Sequence, residues 1–198
     1  DLQRIAIKQD GQKSAIEHTG RTGGLPFVGV GWYRTEFDIP ELTADKQVFI
    51  QFDGAMSNPE VYVNGHKAGL WHNGYNTFFL NISPFVKAQG NILAVRLNNL
   101  PEASRWYPGA GLYRHVHIIT KNKTHIPIWG IQLTTPIIEK DFAKVMVNTE
   151  FVSDNKANIS VETTIFNAKG EKLTTHTTQS TQYTGDVLSN ELYINHPT

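Results

Sequence analysis

The stretch Val61-Tyr62-Val63-Asn64-Gly65 decides the fold. Three β-favouring residues run into Asn-Gly, the dipeptide that tolerates two successive positive φ angles, so the segment predicts a type I′ hairpin with residues 67–71 as the returning strand. Upstream, Val48-Phe49-Ile50-Gln51-Phe52 is a second β-rich run. Downstream, Leu93, Val95 and Leu97 alternate with Ile92, Ala94 and Arg96, the period of a half-buried strand. From Tyr113 to Thr120 the same period sets Arg114, Val116 and Ile118 against His115, His117 and Ile119. With 16 Gly and 9 Pro, breakers recur too often for long helices, and an all-β fold is expected.

The aromatic residues thin out near residue 125, and all four Trp (Trp32, Trp71, Trp106, Trp129) lie at or before 129. Beyond, Val145, Val147, Thr149 and Phe151 alternate in one run and Ile159, Val161, Thr163 and Ile165 in another. Asp154-Asn155 and Asn167-Ala168-Lys169-Gly170 supply turns, and Leu192-Tyr193-Ile194 closes the pattern. We place a boundary within residues 121–127, giving domains 1–123 and 124–198. The second domain reads as a meander of five strands, short of the roughly seven of a closed immunoglobulin-like sandwich, and is expected to be truncated.

Composition excludes several function classes. The 198 residues carry 18 Lys+Arg against 18 Asp+Glu, so no charge excess draws the chain to nucleic acid or an acidic membrane. No apolar run is long enough for a membrane helix. The absence of cysteine removes disulfides, thiolate metal sites and a cysteine nucleophile together. The chain opens at Asp1 with no basic segment leading into an apolar run, which we read as a removed signal or an excised segment; a periplasmic or secreted bacterial setting is expected.

No complete active site is visible. His115 and His117, at i and i+2 of a strand, share a face and could grip one metal ion, yet no third ligand is nominated by spacing. Glu36, Asp38, Asp53, Glu60 and Glu102 could supply a glycosidase carboxylate pair, but nothing in their spacing forces two of them together, and Glu36 and Asp38 would share one strand face, where solvated carboxylates are expected. Ser57 and Ser104 lack a nucleophile elbow, and Gly109-Ala110-Gly111 opens no helix. Three loops stand out for combining flat rings with amide, imidazole or guanidinium donors, the chemistry that suits a sugar: residues 29–34, residues 71–76, and residues 104–109. Trp32, just ahead of the alternating residues 34–39, is expected to plug the core or edge of a sandwich instead.

Together these stretches resemble the N-terminal part of glycoside hydrolase family 2, which contains β-galactosidases, β-glucuronidases and β-mannosidases. The matching segments are Gly23-Gly24-Leu25-Pro26, then Gly31-Trp32-Tyr33-Arg34 with Phe37 and Pro40. They continue with the run from Phe52 to Asn58, Val61-Tyr62-Val63-Asn64-Gly65, Gly69, residues 91–95, and the run from Arg105 to Arg114. The resemblance covers about residues 20–120 and implies a sugar-binding jelly-roll β-sandwich followed by an immunoglobulin-like β-sandwich. It further implies a catalytic (β/α)₈ barrel beyond, carrying both catalytic glutamates, so no catalytic residue is expected in this chain. Some jelly-roll loops in the family reach the barrel mouth. A gapless count places one sugar-contacting Asn of the family at Met56, two residues before Asn58, and a sugar-contacting Asp near Arg105. Arg105 is therefore the leading substrate-binding candidate and Asn58 the second, with Trp106 and Tyr107 as stacking surfaces. A β-galactoside is the expected substrate, and Arg105 leaves a uronic acid open. The expected partners are carbohydrate, the barrel of the same parent chain and a second copy in a homo-oligomer, with no nucleic acid, membrane, cofactor or metal. A free-standing carbohydrate-binding module or lectin, and a structural sandwich that only docks on a partner, are the competing readings.

Overall fold

The computed structural model describes residues 29–99, 110–153, 159–180 and 187–197. The chain divides into two compact units between Thr120 and Lys121. Among the described residues every regular element is a strand apart from one 3-10 turn, Ser83–Phe85.

In the first unit the Asn64-Gly65 hairpin joins β4 (Glu60–Val63) to β5 (His66–Leu70), with φ of 49° and 83° at the two turn residues. Both angles are positive, as the type I′ turn demands. β4 pairs antiparallel with β7 (Asn91–Asn99), which also pairs with β1 (Gly29–Phe37), giving a four-stranded sheet in the order β1-β7-β4-β5. Facing it is a three-stranded sheet with β2 (Lys46–Phe52) between β6 (Phe78–Asn81) and β9 (Val116–Asn122). β3 (Ala55–Met56) and β8 (Gly111–Leu112) form a short ribbon at one end. The alternating residues fill the space between sheets: Val48, Ile50 and Phe52 meet Val61, Val63, Leu93, Val95 and Leu97, all buried. This is the sandwich that period-two patterning implies.

Two buried polar residues join these elements. Asn91 is fully buried; its Nδ2 donates to the Phe37 and Lys87 carbonyls, and its Oδ1 accepts from the Lys87 N–H and Asn64 Nδ2. Asn64 in turn donates to the Phe85 carbonyl and accepts from the Ile92 N–H, so the hairpin turn is tied to the body of the sheet. At the open edge, the inward faces of β1 and β9 bound a groove of about 300 Å³ lined by Tyr33, Phe37, Leu93, Val116 and Ile118.

The structure differs from the sequence expectation in two places. The strand expected from Tyr113 begins only at Val116, because Tyr113 points its hydroxyl across to the Gly74 carbonyl and residues 113–115 bend. Trp32 does lie at the sheet edge but plugs nothing there: it stands on the outer face of β1 and is 58% exposed. Glu60, whose surroundings the sequence left open, is the centre of a cross-strand cluster, described below.

In the second unit β10 (Ile131–Ile138), β11 (Phe142–Glu150) and β14 (Val187–Asn195) form one sheet, in that order, and β12 (Ile159–Phe166) pairs with β13 (Lys172–Ser180) in another. Val145, Val147 and Leu192 form the core of this immunoglobulin-like sandwich, with Ile165 and Ile194 packed against it. Fully buried Asn190 on β14 donates to the Val161 carbonyl and Thr163 Oγ1 and accepts from the Thr178 hydroxyl, a polar tie between the two sheets. The Asp154-Asn155 turn expected from sequence lies outside the described residues.

Candidate functional site

Of the loops with sugar-like chemistry, residues 71–76 pack at the β3–β8 end of the first unit. Their arrangement starts at Gly54, over which the Tyr113 ring passes so closely that a Cβ would lie 2.5 Å from its Cζ. Only glycine admits this approach. Tyr113 then donates its hydroxyl to the Gly74 carbonyl at 2.8 Å, and Gly74 packs against Met56, so the loop after β5 is anchored to both β3 and the residue following β8. Asn73 folds that loop on itself: its Oδ1 accepts from the Tyr75 and Asn76 N–H groups, an Asx turn that leaves Tyr75 exposed at the tip. Trp71 stacks on Phe78 at 5.4 Å, and Phe78 on Phe52 at 4.9 Å, a ring column running from the core to a 37% exposed surface ring.

Asn58 sits between this loop and β7. The Met56–Ser57 peptide before it is cis, and Asn58 itself has φ of 48°. Its Nδ2 donates to the Asn98 carbonyl at 3.3 Å, and the Ser57 hydroxyl donates to the same carbonyl at 2.8 Å. The remaining amide oxygen faces His72 Nδ1 at 3.3 Å. A carbonyl oxygen only accepts, so the contact is a hydrogen bond when His72 carries a proton on Nδ1, and the other ring nitrogen, Nε2, lies on an exposed ring. Asn58 is thus a cross-tie whose side chain is already engaged, and His72, which sequence reasoning left among loop residues, holds the outward hydrogen-bonding atom. Its pairing with Asn58 could have been suspected only from the shared amide-rich composition of the two loops.

Arg105, Trp106 and Tyr107 lie outside the described residues. The described residues on either side of that segment, Asn99 and Ala110, line a cavity of about 130 Å³ together with Met56 and Tyr33. The carboxylates considered for catalysis are dispersed. Asp53 accepts from Gln51 Nε2 at 2.9 Å and lies 3.1 Å from His117 Nε2, contacts that hold its pKa below the ordinary value. Glu60 is held down to about 2 by hydrogen bonds from Lys67 and Tyr62, with the Lys67 and Arg96 charges adding to them. Asp38 accepts the Gly90 N–H, Glu36 is exposed, and Glu102 is outside the described residues. A glycosidase acid needs its pKa raised, so Asp53 and Glu60 are tuned in the wrong direction for that task. His115 and His117 have ring centroids 5.9 Å apart, and His117 is committed to Asp53.

Residues 25–122 match the family described as "Glycosyl hydrolases family 2, sugar binding domain". The chain is 34% identical to β-galactosidase BoGH2A of Bacteroides ovatus over 168 residues, covering 83% of this chain and 20% of that protein. It is 30% identical to a β-glucuronidase of Formosa agariphila over 177 residues, covering 81% of this chain and 17% of that one. Among solved structures, a β-glycosidase from Bacteroides vulgatus superposes with a TM-score of 0.81 at 29% identity, covering 97% of this chain and 24% of that chain. The chain thus spans about a fifth of the length of these curated relatives. With a jelly-roll sandwich, an immunoglobulin-like sandwich and this match in hand, the chain belongs to glycoside hydrolase family 2 and carries that family's sugar-binding domain.

Proposed function

We propose that this chain is the non-catalytic N-terminal part of a β-glycosidase, in which the β3–β8 end of the jelly roll shapes the substrate pocket of a barrel borne by the same parent polypeptide. Hydrolysis of the O-glycosidic bond is the barrel's task; a β-galactoside is the preferred substrate, and a glucuronide is the alternative that Arg105 and the β-glucuronidase relatives support. The observation that carries this reading is that Met56 lines a cavity with Asn99 and Ala110, the described residues on either side of the segment holding Arg105, Trp106 and Tyr107, while Asn58, two residues on, bonds the Asn98 carbonyl and faces His72. Asp53 and Glu60, both held ionised, support a non-catalytic role.

The test is steady-state kinetics of the full parent protein on nitrophenyl β-galactoside and β-glucuronide. Loss of one neutral hydrogen bond corresponds to about a 3- to 10-fold change, so His72→Ala should raise KM by that factor with a smaller effect on kcat. Unchanged KM on both substrates, or turnover by the 198-residue chain alone, overturns the proposal. A free-standing carbohydrate-binding module is the second reading, favoured by the exposed rings of Trp71 and Tyr75.

A further inference from the structure

The outer face of the four-stranded sheet, a surface distinct from the loop end, holds a preorganised arrangement of rings and charges. The register sets Trp32 beside Arg96 and Arg96 beside Glu60, one row across three strands. In the adjoining row Arg34, Ala94 and Tyr62 are neighbours, with Lys67 opposite Tyr62. Glu60 binds this group together: Oε1 accepts from Arg96 at 2.6 Å, while Oε2 accepts from Lys67 at 2.8 Å and from the Tyr62 hydroxyl at 2.9 Å. The Tyr62 ring is therefore fixed in orientation. Its centroid lies 5.8 Å from that of Trp32 with 38° between the planes; the two rings lie on a diagonal across β7, where Arg96 neighbours Trp32 and the small Ala94 neighbours Tyr62. Adjacent strands lie about 4.8 Å apart, so the row from Trp32 to Glu60 spans about 10 Å, the length of about two linked pyranose rings.

We propose that this face is a saccharide platform, on which a pyranose stacks its C–H face over Trp32 while its oxygens accept from Arg96, Lys67 and Arg34. The chemistry selects this ligand class. Arg and Lys are donors only, and Arg96 spends one nitrogen on Glu60, so the face offers N–H groups to an acceptor-rich partner beside a broad apolar ring. A protein-docking surface would have a core depleted of charge. Here the charged Glu60–Arg96 pair occupies the centre, and the apolar residues Val30, Leu70 and Ile92, each 40–42% exposed, stand apart around it. Three cations against Glu60 and Glu36 leave a positive balance, so a sugar bearing a carboxylate should bind more tightly than a neutral one.

The experiment titrates the 198-residue chain with β-1,4-galactotetraose and, separately, with the methyl glycoside of β-D-glucuronic acid, following indole N–H signals by NMR. The Trp32 signal is assigned by its absence in Trp32→Ala. The expected result is a saturable shift of the Trp32 signal, affinity reduced about tenfold or more in Trp32→Ala, and tighter binding of the uronide that Lys67→Gln weakens. Trp71→Ala and His72→Ala should leave this affinity within about twofold, which separates failure of the platform from failure of the loop site. No shift with either sugar, or equal binding by Trp32→Ala, overturns the proposal. Self-association abolished by Trp32→Ala, with no sugar bound, overturns it in favour of an interface between copies. Should Trp32→Ala not fold, Lys67→Gln at its 48% exposed side chain carries the test alone, and uronide affinity unchanged by it refutes the platform.

Discussion

Replacing Asn91 removes four hydrogen bonds at once, and the cost follows from which of their partners can reach water. The Lys87 N–H and carbonyl sit on an exposed loop residue and can be rehydrated. The Phe37 carbonyl and the Asn64 amide belong to half-buried residues packed at the sheet edge and cannot be rehydrated without local opening. A stranded buried group costs about 1–3 kcal/mol, so Asn91→Leu, which keeps the volume, should lose about 2–5 kcal/mol. A domain of this size is held by only about 5–15 kcal/mol. With a urea m-value of about 2 kcal/mol/M, the midpoint of the first unit should fall by about 1–2.5 M, read by the fluorescence of Trp32 and Trp71. Asn91→Asp should be at least as damaging, because it replaces the donor with a charge facing two carbonyls. Eight residues of strand, about 25 Å, separate Asn91 from Asn99, so the His72 and Asn58 geometry should survive below the transition. A midpoint shift under about 0.3 M for Asn91→Leu would refute the view that this residue holds the hairpin to the sheet.

Three further outcomes are expected. Glu60 has its pKa lowered to about 2, so its contribution to stability is present above its ordinary value near 4.5 and disappears as pH falls through about 2; acid titration of Glu60→Gln should show a shallower loss across that window than the parent chain, and identical curves would contradict the cluster. Tyr113→Phe removes the hydroxyl donated to Gly74 and should lower stability by about 1 kcal/mol in urea unfolding. Gly54→Ala should cost more than Tyr113→Phe, since the new methyl displaces the whole ring, and the two changes together should be less than additive in a double-mutant cycle.

What could be read from the sequence was what local chemistry dictates. Asn64-Gly65 announces its turn because few other dipeptides tolerate two positive φ angles, and Leu93, Val95 and Leu97 announce a buried face because the strand period is two. Alternation does not say which of two faces a residue at a sheet edge will take, and so Trp32, expected to plug the core or edge of the sandwich, stands exposed on the outer face of the edge strand. The role of Glu60 was hidden because Arg96 is 36 residues away and becomes its neighbour only when β4 pairs with β7. Tyr113 continued a period-two run, but its hydroxyl serves a loop 39 residues earlier, and the chain bends to deliver it. At the loop end, composition marked residues 71–76 as suited to sugar, while the Asn58–His72 contact depended on the path of the chain between β3 and β5.

The central claim, that these two sandwiches are the front of a larger glycosidase, is tested most directly by the mass of the native polypeptide in its source cells, detected with an antibody raised against this chain. A barrel takes about 250 residues, about 28 kDa, so the account predicts a band at least that much heavier than the 22.2 kDa of these 198 residues. A sole band near 22 kDa would contradict it and leave a free-standing sugar-binding protein in its place.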